Sequence, residues 1–231
     1  MALINLGSVA TDIRGSVAGV TFSRNKGGSY VRQKISPVQP RTPAQTLVRA
    51  NFAANSKLWS GTLTVSQRAA WSFFAQANPF TNVFGNSIII SGMAIMQKLN
   101  QVLAQIGVAP IVAPPPDLSV PALAAPSGIT ADTTGPDLEV NTAAQSVVAG
   151  AKYYIFATKP LAAGRTPTSS DFRFIAAKAG VAAATTIDIT SDYFGIFGSA
   201  APGQTVGVLV ATVNVDTGAL TPGLRFIEQF L

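Results

Sequence analysis

Apolar and polar positions change their period twice along this 231-residue chain. Near the start, residues 17–23 and 29–34 alternate as two strands do, around Arg24-Asn-Lys-Gly-Gly28, whose glycines tolerate a positive φ. Residues 1–13 read as an extended segment ordered by contact with something else, and residues 36–40 as a proline-held connector. Helical spacing then takes over. Ala44, Val48, Phe52, Asn55 and Trp59 share one face of a first helix that Ser60-Gly61 ends. A second helix over 65–77 turns Ala70, Trp71, Phe74 and Ala75 inward and stops at Asn78-Pro79. A third covers 87–106, with Gly107 just past its end.

Two of these helices start in the same way. In Thr42-Pro-Ala-Gln45 and Thr64-Val-Ser-Gln67 the threonine accepts from the amide three residues on, and the glutamine reaches back. Pro43 occupies the first helical position, where a missing N–H costs nothing. Thr42, Gln45, Trp59, Thr64, Gln67 and Trp71 are therefore read as scaffold, with both tryptophans in the core.

Ala113-Pro-Pro-Pro-Asp117 forms a stiff spacer, and the period changes again after it. Short strands are expected at 128–131, 138–141, 152–158, 172–177, 185–189, 205–215 and 224–230. Turn signals separate them at 134–137, 162–165, 201–203 and 216–218, and a helical turn with buried aromatics is expected at 192–198. The predicted fold class is α+β. It has a β-hairpin arm and three-helix module over 1–112, a linker at 113–117, and an immunoglobulin- or fibronectin type III-like sandwich over 118–231.

Composition narrows the function. Only 11% of residues are charged and 48% are hydrophobic, a sparse coat for a free monomer that fits a surface covered by neighbours in an assembly. No secretory leader and no run of about 18 apolar residues is present, so the chain is expected to work without a secretory step or a membrane. Charge is unevenly placed. Up to Pro110 there are ten basic residues and one acid, a balance of +9; from Ile111 on there are six against nine, or −3. Arg14, Arg24, Lys26, Arg32, Lys34, Arg41 and Arg49 are the candidate partner-binding residues. Phe22 and Tyr30 lie between them, a pattern that suits nucleic acid, but a basic arm on an acidic protein surface is the simpler reading. The third helix carries Lys98 alone among Gln97, Asn100, Gln101 and Gln105, and so neutral a face is expected to be covered by a partner.

Catalytic constellations are missing. With neither histidine nor cysteine, Ser–His–Asp and Cys–His sets cannot form, and no metal or cofactor is expected. Asp188 with Asp192, and Asp137 with Glu139, read as solvated rim charges. Neither Gly27-Gly28 nor Gly15-x-x-x-Gly19 leads into a phosphate loop. The chain is read as non-enzymatic. Tyr153, Tyr154 and Tyr193 support a weaker expectation of glycan binding by the sandwich.

Arg14-Gly-Ser-Val-Ala-Gly-Val-Thr-Phe-Ser, Asn25-Lys-Gly-Gly, Pro37-x-x-Pro40-x-Thr42-x-x-Gln45-x-x-x-Arg49 and Leu63-Thr64-x-x-Gln67-Arg-x-x-Trp71 together resemble uncharacterised structural proteins encoded by tailed phages and prophages. The resemblance covers about the first 110 residues. It implies a virion component without an activity, and the β-rich half resembles accessory immunoglobulin-like domains on phage virions. The expectation is a capsid decoration or cement protein. Its partner would be the major capsid protein or another virion protein, in a homo-oligomeric setting. A head–tail connector or tail accessory protein is the alternative, and a nucleic-acid-binding module the alternative of another class.

Overall fold

The computed structural model describes residues 2–7, 10–36, 38–82, 84–133, 137–144, 148–180 and 185–231. Pro37 of the expected connector and positions 134–136 of the expected turn lie outside the described residues. The protein mixes helix and sheet, at 26% and 31%. It divides into two units, Met1–Gln101 with Pro110–Pro114, and Val102–Ala109 with Pro115–Leu231. Residues 102–109, which precede the expected linker at 113–117, group with the second unit. The reason is packing, since Val102 clusters there with Tyr154, Ala211 and Val213, and Ile106 packs against them.

The first unit opens with an antiparallel sheet of order β1-β4-β3-β2, formed by Ala2–Leu3, Gly28–Gln33, Val20–Asn25 and Gly15–Val17. Residues 2–3 thus find their partner inside the chain, at Val31 and Tyr30. The strand expected over 17–23 is broken by a reversal. Val17 pairs with Val20, and Ala18 and Gly19 between them hold φ of 45° and 83°, as a two-residue primed turn requires. Ala-Gly lacks the usual Asn-Gly signature, so the turn was hidden in the pattern.

Helix α1, Pro43–Lys57, does not end at Ser60-Gly61 but runs into a π-helical turn, Leu58–Thr62, closed by Leu63 N–H on the Leu58 carbonyl at 3.0 Å. Helix α2, Val65–Ala77, begins at a complete capping box on Thr64 and Gln67. Two short strands follow, β5 at Phe80–Thr81 and β6 at Ser87–Ile88. Their pairing delays helix α3 to Gly92–Gln105, with Ser91 Oγ accepting from Ala94 N–H at 3.2 Å. The core of this unit holds Leu63, Trp71, Ala75, Ile95, Met96 and Leu99. Trp71 and Phe74 meet edge to face at 5.9 Å.

In the second unit all seven expected strands form: β7 Pro126–Asp132, β8 Asp137–Thr142, β9 Ala151–Ala157, β10 Arg173–Lys178, β11 Thr186–Asp188, β12 Thr205–Asn214 and β13 Leu224–Gln229. They make a three-stranded sheet β11-β8-β7 and a four-stranded sheet β10-β9-β12-β13. Period-2 alternation sends Leu138 and Val140 from one sheet, and Tyr153, Ile155, Val206, Val208 and Val210 from the other, into one core. Helix α4, Thr190–Phe197, adds Tyr193 to it. The opposite face of β9 carries Tyr154 and Phe156, covered by the end of α3.

Candidate functional site

The seven candidate basic residues are not gathered into one patch. Arg14 Nε sits 2.7 Å from Asp12, so it is engaged by the only acid of its half. In the sheet register Arg24 faces Ser29 and Arg32 faces Thr21. Strand alternation puts those two pairs on opposite faces, Arg24 with Phe22 and Val31, Arg32 with Ser16 and Thr21. Lys26 occupies the β3–β4 turn, where Gly27 N–H donates to Asn25 Oδ1 at 2.9 Å. Lys34 is tied through its backbone to the Gly19 carbonyl at 2.7 Å. Arg41 precedes α1 in the left-handed region, at φ 50°. Arg49 donates to Gln39 Oε1 across the connector. Arg24 alone lines a cleft, of about 220 Å³, with Asn5, Thr11, Asn82 and Asn86.

The scaffold residues divide by how firmly they are held. Thr64 N–H donates to Gln67 Oε1 at 2.9 Å while Thr64 Oγ1 accepts from Gln67 N–H at 3.2 Å. At Thr42 the side chain accepts from Gln45 N–H at 3.4 Å, and the reciprocal glutamine bond does not form among the described residues. Trp71 is fully buried and its Nε1 donates to the Val112 carbonyl at 3.0 Å. Trp59 is half-buried in the π-helical turn rather than inside the core.

Two expectations are corrected. Helix α3 is not the element that waits for a partner, because three of its four neutral polar residues are used within the chain, and the fourth, Gln101, has its Nε2 buried without a hydrogen-bond partner among the described residues. Gln97 Nε2 donates to Ser56 Oγ at 3.0 Å, Asn100 exchanges bonds with both Ile111 N–H and its carbonyl, and Gln105 accepts from the Tyr154 hydroxyl. Lys98 stands 3.9 Å from the Phe80 ring centroid, and burial lowers its pKa. Tyr153, Tyr154 and Tyr193 cannot stack on a sugar, since all three are buried. Their strand and helix positions face the two cores.

The uncovered element is α1. Residues 43–50 are exposed on every side, and no described residue from 3 to 54 is buried. Leu47 is 63% and Phe52 55% exposed; on α2, Phe73 is 69% exposed. At 100° per residue, Ala50, Pro43, Ala54, Leu47, Ala44, Val48 and Phe52 span an arc of about 200° broken only by two asparagines. Of these asparagines Asn55 is buried, at the end where α1 rests on its own unit. Helical spacing shows this apolar face in the sequence, but spacing alone does not say that most of it stays uncovered.

The carboxylates are engaged singly rather than as a pair for chemistry. Asp137 accepts from Thr190 Oγ1 at 2.8 Å, and Asp192 lies 2.6 Å from Lys178. Among the described residues no group of acids could hold a metal ion, and no helix is long and apolar enough to cross a membrane.

No family model matches the chain, and no curated protein matches it. One solved structure to which it is similar, a Fn3-like protein from Clostridium thermocellum, is 17% identical, covers 49% of this chain and 96% of that one, and superposes with a TM-score of 0.30.

Proposed function

We propose that this is a non-enzymatic structural protein of a tailed-phage virion, a capsid decoration or cement protein that holds an acidic outer shell through its first unit. The observation that carries the reading is the build of that unit's leading half. Among the described residues its sheet and the first turns of α1 bury none fully, yet they are rich in exposed apolar side chains and nearly free of acids. A free-standing domain gains little from such a surface, whereas a subunit in an assembly gains the burial on docking. The excess of positive charge steers it toward acidic surfaces.

The second unit is in this reading an immunoglobulin- or fibronectin type III-like sandwich that projects from the particle or meets a neighbour. Strand order supports it: first, second and fifth strands form one sheet, and third, fourth, sixth and seventh the other. The division of Arg24 and Arg32 between two sheet faces disfavours a nucleic-acid track, which needs its cations along one groove.

Copy number tests the reading. Quantitative mass spectrometry of purified virions is expected to find hundreds of copies per particle. A dozen or fewer would replace it with a head–tail connector or tail accessory role, and absence from particles would end the virion reading altogether.

A further inference from the structure

We propose that α1 of one copy docks on the second unit of another copy, into the cleft beside the end of α4. The inference goes beyond the virion reading and does not depend on it. The cleft, of about 300 Å³, is lined by Thr133, Phe194, Ser199 and Ala200. Its floor is apolar enough to receive a phenyl ring, and Phe52 stands on α1 one turn after Val48 on the same face, both exposed.

Electrostatics selects this occupant. Asp132 directly precedes Thr133 and is paired in register with Asp137, so two carboxylates mark the same end of the β7–β8 hairpin. The cleft also lies at the C-terminal end of α4, where the helix dipole is negative. Helix α1 brings the opposite sign: Arg41 before its cap, Arg49 on its second turn, and no acid in its first turn. Pairing α1 with another α1 would instead press together two basic surfaces, because no acid occurs between Asp12 and Asp117. A helix of one copy on the sandwich of the next is a heterologous contact, which generates rings or filaments.

Light scattering and sedimentation of the full chain across a concentration series test this. At low ionic strength the protein is expected to form species larger than a dimer, dissociating at about 0.5 M salt. Phe52→Lys and Ala200→Lys are each expected to weaken association at least tenfold while circular dichroism and melting stay unchanged. Their equimolar mixture offers one intact helix and one intact cleft, so it should give a 1:1 dimer and nothing larger. If either variant melts early, Val48→Lys, one turn before Phe52 on the same face, and Ser199→Lys take their places. A wild-type chain that stays monomeric throughout overturns the proposal. So does an Ala200→Lys variant that still associates, which means α1–α1 pairing, or a mixture that stays monomeric.

Discussion

Gly92, the first residue of α3, lies so close to α2 that a Cβ placed on it would stand 2.7 Å from the Ser72 backbone nitrogen and 2.8 Å from the Trp71 carbonyl carbon. Both obstructing atoms are backbone, so no rotamer change relieves the contact. Gly92→Ala is expected to destabilise the first unit by about 1 to 3 kcal/mol, as other overpacked sites do. Gly61, in the π-helical turn, has open space around its missing Cβ and no positive φ. Gly61→Ala is expected to be neutral or to gain up to about 1 kcal/mol. Urea titrations of the two variants, followed by tryptophan fluorescence, check the pair.

The two helix starts share a sequence signature but not a strength. Thr64→Ala removes a complete capping box and is expected to cost about 1 kcal/mol. Thr42→Ala removes one bond of 3.4 Å on an exposed end and is expected to cost clearly less. Hydrogen exchange at the amides of Gln45 and Gln67 reads each cap directly, and equal losses would contradict the geometry.

Asn100 is buried and makes two bonds to one residue, donating to the Ile111 carbonyl at 3.1 Å and accepting from its N–H at 2.8 Å. Asn100→Ala deletes both and strands two backbone groups, with an expected loss of about 2 to 4 kcal/mol. Asn100→Asp keeps the acceptor alone, so at neutral pH it also leaves the carbonyl facing a buried charge and should be no milder. Chemical denaturation of the two variants against the wild type decides it.

Alkaline pH probes the second unit through its tyrosines. Burial pushes the Tyr154 hydroxyl up to about 12, from an ordinary value of 10.0, and raises that of Tyr193 as well. With a raised folded pKa, the unfolded chain loses its proton first, so stability is complete below pH 10 and falls as pH rises from about 10 to about 12. Tyr154→Phe is expected to flatten that fall while costing about 1 kcal/mol below it, for the lost bond to Gln105. The Tyr193 hydroxyl is buried with no hydrogen-bond partner among the described residues, so Tyr193→Phe should flatten the fall at no cost near neutral pH. Denaturation series from pH 8 to 12 measure both.

The β-rich half was legible where a strand such as β8 combines an alternating core face with a glycine- or proline-marked turn. Leu138 and Val140, or Val206, Val208 and Val210, announce their side of the sheet by spacing alone. Trp71 was legible for the same reason, as the largest apolar residue on the inner face of a capped helix. What sequence spacing cannot say is whether an apolar face meets its own chain. Phe52 and Trp71 carry the same signal, yet one is exposed and the other buried. Conversely, the neutral polar residues of α3 looked like a surface awaiting cover, when Gln97, Asn100 and Gln105 each answer a partner 11 to 49 positions away. Hydrogen bonds at that separation leave no local trace.

The π-helical turn between α1 and α2 holds one residue more per turn than the helix it continues. Deleting a single residue there would let the α-helical pattern close, and everything N-terminal to it would swing by about 100° around the helix axis. The side chains of Leu47, Val48 and Phe52 would then point in a new direction without any change to their own sequence. One inserted residue therefore works as an angular setting, fixing the bearing on which the foremost helix meets whatever it grips.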